Sequence, residues 1–333
     1  MASALQTLLQ RLRETPAMQA KVAIQAPSRA LPGLANSLDE AYALPGDDTA
    51  AIRCGDQYQL LAIEGMLPAF VEQAPWFAGW SAVMANVSDI TAMGGRATAV
   101  VNAYWHHDSG AADQVLAGIR AACHAYGLIL AGGHTSQAPD NPAALAVAVT
   151  GWARNLLSTL HVAPGQILAM AVDLDGQWHG DAPYWKAFEN VAPQRLRGKL
   201  EVIPRLAEAG LLIAAKDISN AGILGTLLML LEPNRCGATI DLSALPYPAG
   251  APLERWLQVF PSYGFLFTLQ AADFATVQAA FVFEGLQCAR IGTVDDSARL
   301  QVCQGDESAV FWDLDAQPFT GFIHPLITAS GDI

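Results

Sequence analysis

The chain has 333 residues, of which 52% are hydrophobic and only 15% are charged, so it is neither intrinsically disordered nor too short to bury a core. Its 31 acidic and 18 basic residues give a net charge of −13, which argues against a nucleic-acid backbone or an anionic membrane as the main partner. A phosphorylated ligand stays possible, because a bound Mg²⁺ can bridge acidic side chains to phosphate.

At about 150 residues per domain, the length predicts two domains. Leucines at helical spacing predict an amphipathic helix over residues 4–20, and the Pro- and Gly-containing residues 26–43 predict a loop. The first 30 residues are interrupted by charges and the chain has no run of about 18 apolar residues, so we expect neither a signal peptide nor a membrane span. Five scattered cysteines without a CxxC pair predict buried free thiols, which together with these features indicates a cytoplasmic protein.

Strands and helices then alternate along the chain. In the first half, the predicted strands are residues 58–63, 97–104, 128–131 and 144–150, and the predicted helices are residues 75–93 and 111–126. In the second half, the predicted strands are 167–172, 211–215, 265–269 and 289–294, and the predicted helices are 192–209, 221–231 and 272–283. This alternation predicts two α/β domains that meet near residue 155.

Two motifs contain aspartates suited to bind a ligand, and each also has an ordinary structural explanation. Asp47 and Asp48 follow a Pro-Gly turn, where aspartates are common. Asp89 lies in the otherwise apolar predicted helix 75–93, where a buried carboxylate needs either a hydrogen-bond donor or a cation as its partner.

Two further motifs follow predicted strands. The sequence Gly-Gly-His-Thr at 132–135 allows a ligand to approach the backbone closely and offers two donors, although a Gly-Gly pair is more often a plain turn. Asp217 ends a predicted strand and Asn220 precedes a predicted helix. Ligands favour that edge of an α/β sheet, but Asp and Asn also cap helices.

The order of these motifs is more specific than any one of them. GDDTA at 46–50, ANVSDITAMGG at 85–95, GGHT at 132–135 and KDISNAG at 216–222 resemble the motifs of a family of ATP-binding enzymes. That family contains aminoimidazole ribonucleotide synthetase, selenophosphate synthetase, thiamine-monophosphate kinase and the hydrogenase-maturation protein that dehydrates a carbamoyl group. The resemblance extends from about residue 40 to residue 330.

The resemblance implies a two-domain, PurM-like α/β (α+β) architecture. Residues 1–40 would form an N-terminal helix and loop. Residues 41–155 would form a mixed-sheet domain that binds ATP and dimerises through its sheet, and residues 156–333 would form a C-terminal α/β domain. ATP would lie between the domains, with Mg²⁺ ions on its phosphates. The implied metal ligands are Asp47, Asp48, Glu64, Asp89 and Asp217. The implied catalytic residues are Asp89, Asp217 and His134, and the implied cofactor-binding residues are Asp48, Gly94, Gly132, Gly133, Thr135 and Asn220.

The chain also departs from each branch of the family. Glu64 stands where the family usually has Asp, and residues 26–44 contain neither Cys nor Lys, which argues against selenide activation. Residues 325–333 lack a terminal Cys, which argues against carbamoyl dehydration, and His134 differs from the GGDT motif of thiamine-monophosphate kinases. The insertion at 173–188 is open to three interpretations: an acceptor pocket, a further metal site, or a loop whose aromatic residues pack on the C-terminal domain.

We therefore expect a Mg²⁺-dependent, ATP-using enzyme that phosphorylates or activates a small-molecule acceptor. It would be a homodimer without a nucleic-acid or membrane partner. Two alternatives stay open. A non-catalytic nucleotide-binding or assembly subunit is favoured by Glu64 and by the missing N-terminal loop, and the second alternative is a thiamine-monophosphate kinase-like phosphotransferase.

Overall fold

The computed structural model describes residues 3–28, 46–138 and 140–323. Most of the predicted loop at 26–43 lies outside the described residues. The first segment forms helices α1 (Ala4–Arg13), α2 (Pro16–Val22) and α3 (Gln25–Ser28). The predicted single helix over 4–20 is therefore wrong, because Thr15 caps a new helix whose first residue is Pro16.

The N-terminal domain is a five-stranded mixed sheet covered on one face by helices. Its elements are β1 (Ala50–Cys54), β2 (Gln57–Met66), α4 (Pro68–Gln73), α5 (Pro75–Ala92), β3 (Gly95–His106), α6 (Ser109–Tyr126), β4 (Ile129–Gln137) and β5 (Ala144–Ala153). The strand order is β1-β2-β5-β3-β4, and the β3–β4 pair is parallel. Helices α5 and α6 cross closely, since a Cβ on Gly79 would come within 2.1 Å of the Val115 carbonyl oxygen.

The C-terminal domain is built on a seven-stranded sheet in the order β14-β13-β10-β12-β6-β11-β9. Its strands are β6 (Ile167–Val172), β9 (Ala214–Asp217), β10 (Gly237–Asp241), β11 (Gly264–Leu269), β12 (Gln287–Asp295), β13 (Arg299–Gln304) and β14 (Glu307–Asp313). A short hairpin of β7 (Gln177–Trp178) and β8 (Trp185–Lys186) lies in the predicted insertion, and the helices are α7 (Pro193–Glu208), α8 (Gly222–Leu231), α9 (Leu253–Leu257) and α10 (Phe274–Phe283). Strands β6 and β11 are buried along their whole length, as their continuous apolar sequences require.

Helices α1 and α2 pack against the C-terminal domain, although they precede the N-terminal domain in sequence. Leu5, Leu9 and Met18 belong to the same buried cluster as residues of α8, β10 and β13. Glu307 at the start of β14 accepts hydrogen bonds from the Ser3 hydroxyl at 2.8 Å and the Leu5 amide at 3.0 Å. The described part of the N-terminal segment therefore forms one body with the C-terminal domain.

Three smaller predictions can be compared directly with the fold. No helix among the described residues is long and apolar enough to cross a membrane. All five cysteines are free and Cys123, Cys236 and Cys288 are buried as expected, but Cys54 is exposed and Cys303 is half-buried. The sequence pattern missed β1, β10, β13 and β14, and it placed β9 about three residues too early.

Candidate functional site

A cavity of about 480 Å³ lies between the two domains. Asp48, Glu64 and Asp89 reach it from the N-terminal domain, and Lys216 and Asp217 reach it from the C-terminal domain. The predicted acidic motifs, which are far apart in sequence, therefore meet in one cleft.

Helix α5 lines this cleft with one face. Phe77, Ser81, Ala85 and Asp89 are spaced by four residues, so they form a stripe along the helix. The small side chains of Ser81 and Ala85 leave room between the aromatic ring and the carboxylate. Because 12 residues of helix span about 18 Å, the stripe is long enough to follow an extended ligand.

Three carboxylates form the acidic end of the cleft, and we call them the acidic trio. Asp48 lies in the turn before β1, Asp89 near the end of α5, and Asp217 at the last position of β9. One oxygen from each lies within 4.8 Å of the other two. Among the described residues, the side chains of Asp89 and Asp217 form no ion pair and accept no hydrogen bond, whereas Asp48 pairs with the Lys216 ammonium group.

The electrostatics of the acidic trio are unfavourable without a further cation. Burial, and then the charges of the neighbouring acids, raise the pKa of Asp89 and of Asp217 well above their ordinary value. Burial also raises the pKa of Asp48, in spite of its ion pair with Lys216. The site thus holds more negative charge than its one ion-paired lysine balances.

The donor set of the acidic trio fits a hard divalent cation. Mg²⁺ prefers carboxylate oxygens at about 2.1 Å, so its ligand atoms lie at most about 4.2 Å apart, and the three carboxylate oxygens of the trio lie within 4.8 Å of one another. Two buried carboxylates without a hydrogen-bond donor are costly unless a cation neutralises them. The predicted metal-binding roles of Asp48, Asp89 and Asp217 are therefore consistent with the geometry.

Asp47 has a different environment from Asp48. Its carboxylate accepts hydrogen bonds from the Ser158 hydroxyl at 2.5 Å, the Thr159 amide at 2.8 Å and the Thr159 hydroxyl at 2.6 Å. These groups begin a single 3₁₀ turn at Thr159–His161, directly after the connection between the domains. Asp47 therefore ties the acidic turn to the interdomain connection, and it is not one of the clustered acids.

Glu64 lines the cleft but stands apart from the acidic trio. Burial raises the pKa of Glu64, while the nearby positive charge of Lys21 opposes this shift. Lys21, on α2, also lines the cleft. The sequence did not indicate Lys21, because a lysine of the family motif was expected only within residues 26–44. Nothing in the sequence shows that α2 packs beside the cleft.

The fold places some of the other predicted cofactor-binding residues in the cleft and some outside it. Asn220 lines the cleft, and its side-chain oxygen accepts a hydrogen bond from the Ala221 amide at 3.1 Å. Gly94 lies outside the cleft lining, in the turn after α5 with φ +81°, where a Cβ would come within 2.5 Å of the Asn155 carbonyl oxygen. A structural requirement for glycine thus accounts for Gly94.

The Gly-Gly-His-Thr motif lies on β4, at the edge of the N-terminal sheet, and is exposed. None of its four residues lines the described cleft. His134 contacts the Ser136 hydroxyl at 3.0 Å and the ring of Trp105. The roles predicted for Gly132, Gly133, His134 and Thr135 remain predictions, and within one described chain they are separate from the acidic trio.

Aromatic rings form the other end of the cleft. The sequence indicated pocket-lining aromatic residues only in the insertion at 173–188. Phe77 packs edge-to-face on Phe70, with ring centroids 5.3 Å apart, and Tyr184 packs edge-to-face on Phe260 at 5.0 Å. Tyr184 comes from the insertion, so that segment does contribute to the cleft. Asp173 of the same insertion instead forms a buried ion pair with Lys199, which accounts for its charge without a metal.

Family models match both halves of this architecture. Residues 46–153 match the N-terminal domain of AIR synthase related proteins, and residues 166–303 match the corresponding C-terminal domain. The chain belongs to the AIR synthase-related family. The predicted family and the predicted two-domain PurM-like fold are thereby confirmed.

Individual proteins and solved structures are also similar to this chain. An uncharacterized protein of Synechocystis sp. is 44% identical, over 83% of this chain and 86% of its own length. A selenide, water dikinase of Aeromonas salmonicida is 29% identical over 60% of each chain. The structure of T. maritima PurL complexed with ADP matches with a TM-score of 0.71 at 17% sequence identity. The match covers 86% of this chain but only 47% of the PurL chain, which is about twice as long.

Proposed function

We propose that this protein is a Mg²⁺-dependent enzyme that uses ATP to phosphorylate or activate a small-molecule acceptor in the cleft between its domains. The observation that carries the proposal is the acidic trio, in which two buried carboxylates have no protein partner among the described residues. The membership of the AIR synthase-related family and the likeness to an ATP-consuming kinase support it.

The residues of the cleft would divide the work as follows. Asp48, Asp89 and Asp217 would hold Mg²⁺, which neutralises phosphate charge when bound. Lys216 fixes Asp48 through an ion pair and donates a hydrogen bond to the Gly46 carbonyl oxygen at 3.1 Å, so it orients the acidic turn. The aromatic end, with Phe77 and Tyr184, would receive the acceptor. Reactions of this kind depend on positioning and charge neutralisation, so no protein nucleophile is required.

A thermal-shift experiment tests this function directly. We expect ATP to raise the melting temperature in the presence of Mg²⁺ or Mn²⁺ and to have almost no effect in excess EDTA, because the acidic cleft repels free nucleotide. Equal stabilisation in EDTA would contradict the proposal. Release of phosphate or ADP on addition of candidate acceptors would distinguish an enzyme from a nucleotide-binding subunit, which would bind ATP without turnover.

We further propose that the protein is a homodimer that pairs through the open face of the N-terminal sheet. This face carries exposed apolar side chains on β2, β3 and β4, among them Ile63 (69% exposed), Val101 (46%) and Ile129 (67%). Contiguous apolar surface of this kind marks an interface. We expect the dimer to bury more than about 2,000 Å², to sediment as a dimer at micromolar concentration, and to dissociate when Val101→Asp places a charge on this face. A monomeric wild-type protein would contradict the assignment.

A further inference from the structure

Rings from both domains line the end of the cleft opposite the acidic trio. We call this the aromatic end and define it by the side chains of Phe70, Phe77, Tyr184 and Phe260. The ring centroids of Phe70 and Tyr184 lie 5.5 Å apart, and those of Phe77 and Tyr184 lie 6.3 Å apart, so the rings form one continuous apolar wall. A flat aromatic ligand gains most on such a wall, through offset-stacked or edge-to-face contacts.

The aromatic end offers no available positive charge among the described residues. The lysines that line the cleft, Lys21 and Lys216, interact with the carboxylates of the other end, and neither lies over a ring of the aromatic end. The Lys186 ammonium group lies 5.8 Å from the centre of the Phe77 ring, but it forms an ion pair with Glu189 and does not line the cleft. A phosphate or carboxylate placed at this end would therefore lack a partner of opposite charge.

Ser81 provides a neutral polar group between the two ends of the cleft. It is 4% exposed and lines the cleft, and its hydroxyl forms no hydrogen bond with any described residue. It lies four residues from Phe77 and eight from Asp89, or about 6 Å and 12 Å along the axis of α5. Tyr184 supplies a second hydroxyl at the aromatic end, and burial raises its pKa, so it is neutral as well. Because a buried hydroxyl without a partner is unfavourable, a ligand that forms a hydrogen bond with Ser81 gains affinity.

We propose that the acceptor carries a planar, uncharged aromatic ring, which binds at the aromatic end, and a polar group beside the ring, which forms a hydrogen bond with the Ser81 hydroxyl. This assignment of the acceptor rests on the proposed ATP-dependent function. An adenine base is also flat and uncharged, but Tyr184 comes from the insertion at 173–188, which none of the family motifs includes. The ring at this end therefore belongs to the acceptor.

Three small probes test the assignment without knowledge of the acceptor. Benzamide is planar and uncharged and has a hydrogen-bonding amide, cyclohexanecarboxamide keeps the amide without the flat ring, and phenyl phosphate keeps the ring but is anionic. Ligand-observed NMR titration of the full chain, in EDTA and without nucleotide, measures the dissociation constant of each probe. We expect benzamide to bind at millimolar concentration and the other two at least about threefold more weakly. Adenosine, added as a competitor, should not displace benzamide.

Variants of the cleft locate the bound probe. Phe77→Leu removes a ring but keeps an apolar side chain, so benzamide should bind about three- to tenfold more weakly. Ser81→Ala should weaken benzamide by about two- to tenfold and leave the melting temperature of the free protein equal or higher, because the hydroxyl has no partner there. Ser88→Ala is the matched control, since Ser88 is on the same helix, is 2% exposed and lines a separate cavity, and it should bind all probes as wild type does. If Phe77→Leu does not fold, Tyr184→Leu removes a half-buried ring from the same wall.

Several results would overturn the assignment. They are no binding of benzamide, binding that neither Phe77→Leu nor Ser81→Ala weakens, and tighter binding of phenyl phosphate than of benzamide. A lower melting temperature of free Ser81→Ala would show that the hydroxyl is structural, and displacement of benzamide by adenosine would show that the aromatic end holds the nucleotide base. The titrations contain no ATP, so a failure here leaves the proposed function standing. If instead ATP with Mg²⁺ fails to stabilise the protein, the proposed function fails and a ring bound at this end is not an acceptor.

Discussion

Two of the buried groups of charged residues that the structure describes differ in the balance of their charges. Lys199 and Asp173 are paired one to one, with side chains 9% and 7% exposed, and Asp173 also accepts a hydrogen bond from the Asp175 amide at 3.1 Å. The acidic trio holds three carboxylates but only one directly paired lysine among the described residues.

The difference separates a structural ion pair from a binding site. A buried pair that satisfies itself requires no ligand, whereas buried carboxylates without donors lower the stability of the free protein and favour a cation. This comparison has measurable consequences, because the first group should respond to mutation through folding and the second through ligand binding.

Breaking the balanced pair should have the largest effect. Lys199→Met leaves the Asp173 carboxylate buried and unpaired, so we expect the free energy of unfolding to fall by about 3–5 kcal/mol in urea denaturation. Mg²⁺ should not restore it. The double variant Lys199→Met/Asp173→Leu should recover much of the loss, and a loss that Mg²⁺ reverses would contradict a purely structural role.

Neutralising one acid of the trio should act on ligand binding. Asp89→Asn keeps the shape of the side chain and removes a charge, so Mg²⁺-dependent ATP affinity should fall by at least about 100-fold, or about 2.7 kcal/mol, in calorimetry. The melting temperature of the free protein should stay equal or rise, because repulsion within the trio is relieved. A fall in stability of about 1–3 kcal/mol with intact nucleotide affinity would show that Asp89 is a structural acceptor.

Removing Lys216, which pairs with Asp48 of the acidic trio, should affect both the stability of the free protein and its response to Mg²⁺. Lys216→Met leaves Asp48 unpaired and should destabilise the protein in EDTA. Unlike the Lys199 variant, it should regain about 1.4 kcal/mol when Mg²⁺ is tenfold above its dissociation constant, because the cation takes over the role of the lysine. Denaturation of both variants with and without Mg²⁺ measures the difference, and equal behaviour of the two would remove the distinction between the groups.

The local sequence determined most elements and the acidic motifs. The apolar run at Ile167–Val172 and the long helix begun by Pro75 appear in the structure as predicted, since periodicity and turn residues are local properties. The motif order also identified the family, and with it Asp89 and Asp217 as members of one site. Short strands such as β10 and β13 were missed, because their pairing partners, rather than their own sequence, stabilise them.

Only the tertiary structure decided which charges meet. Asp47 and Asp48 are adjacent in sequence, yet one carboxylate binds the interdomain turn and the other joins the acidic trio. Lys21 belongs to the cleft although 26 positions separate it from Asp47, and His134 lies on an exposed edge strand. Local sequence fixes the type of a side chain and its place on a helix or strand, but charge and burial depend on neighbours that long-range packing brings together.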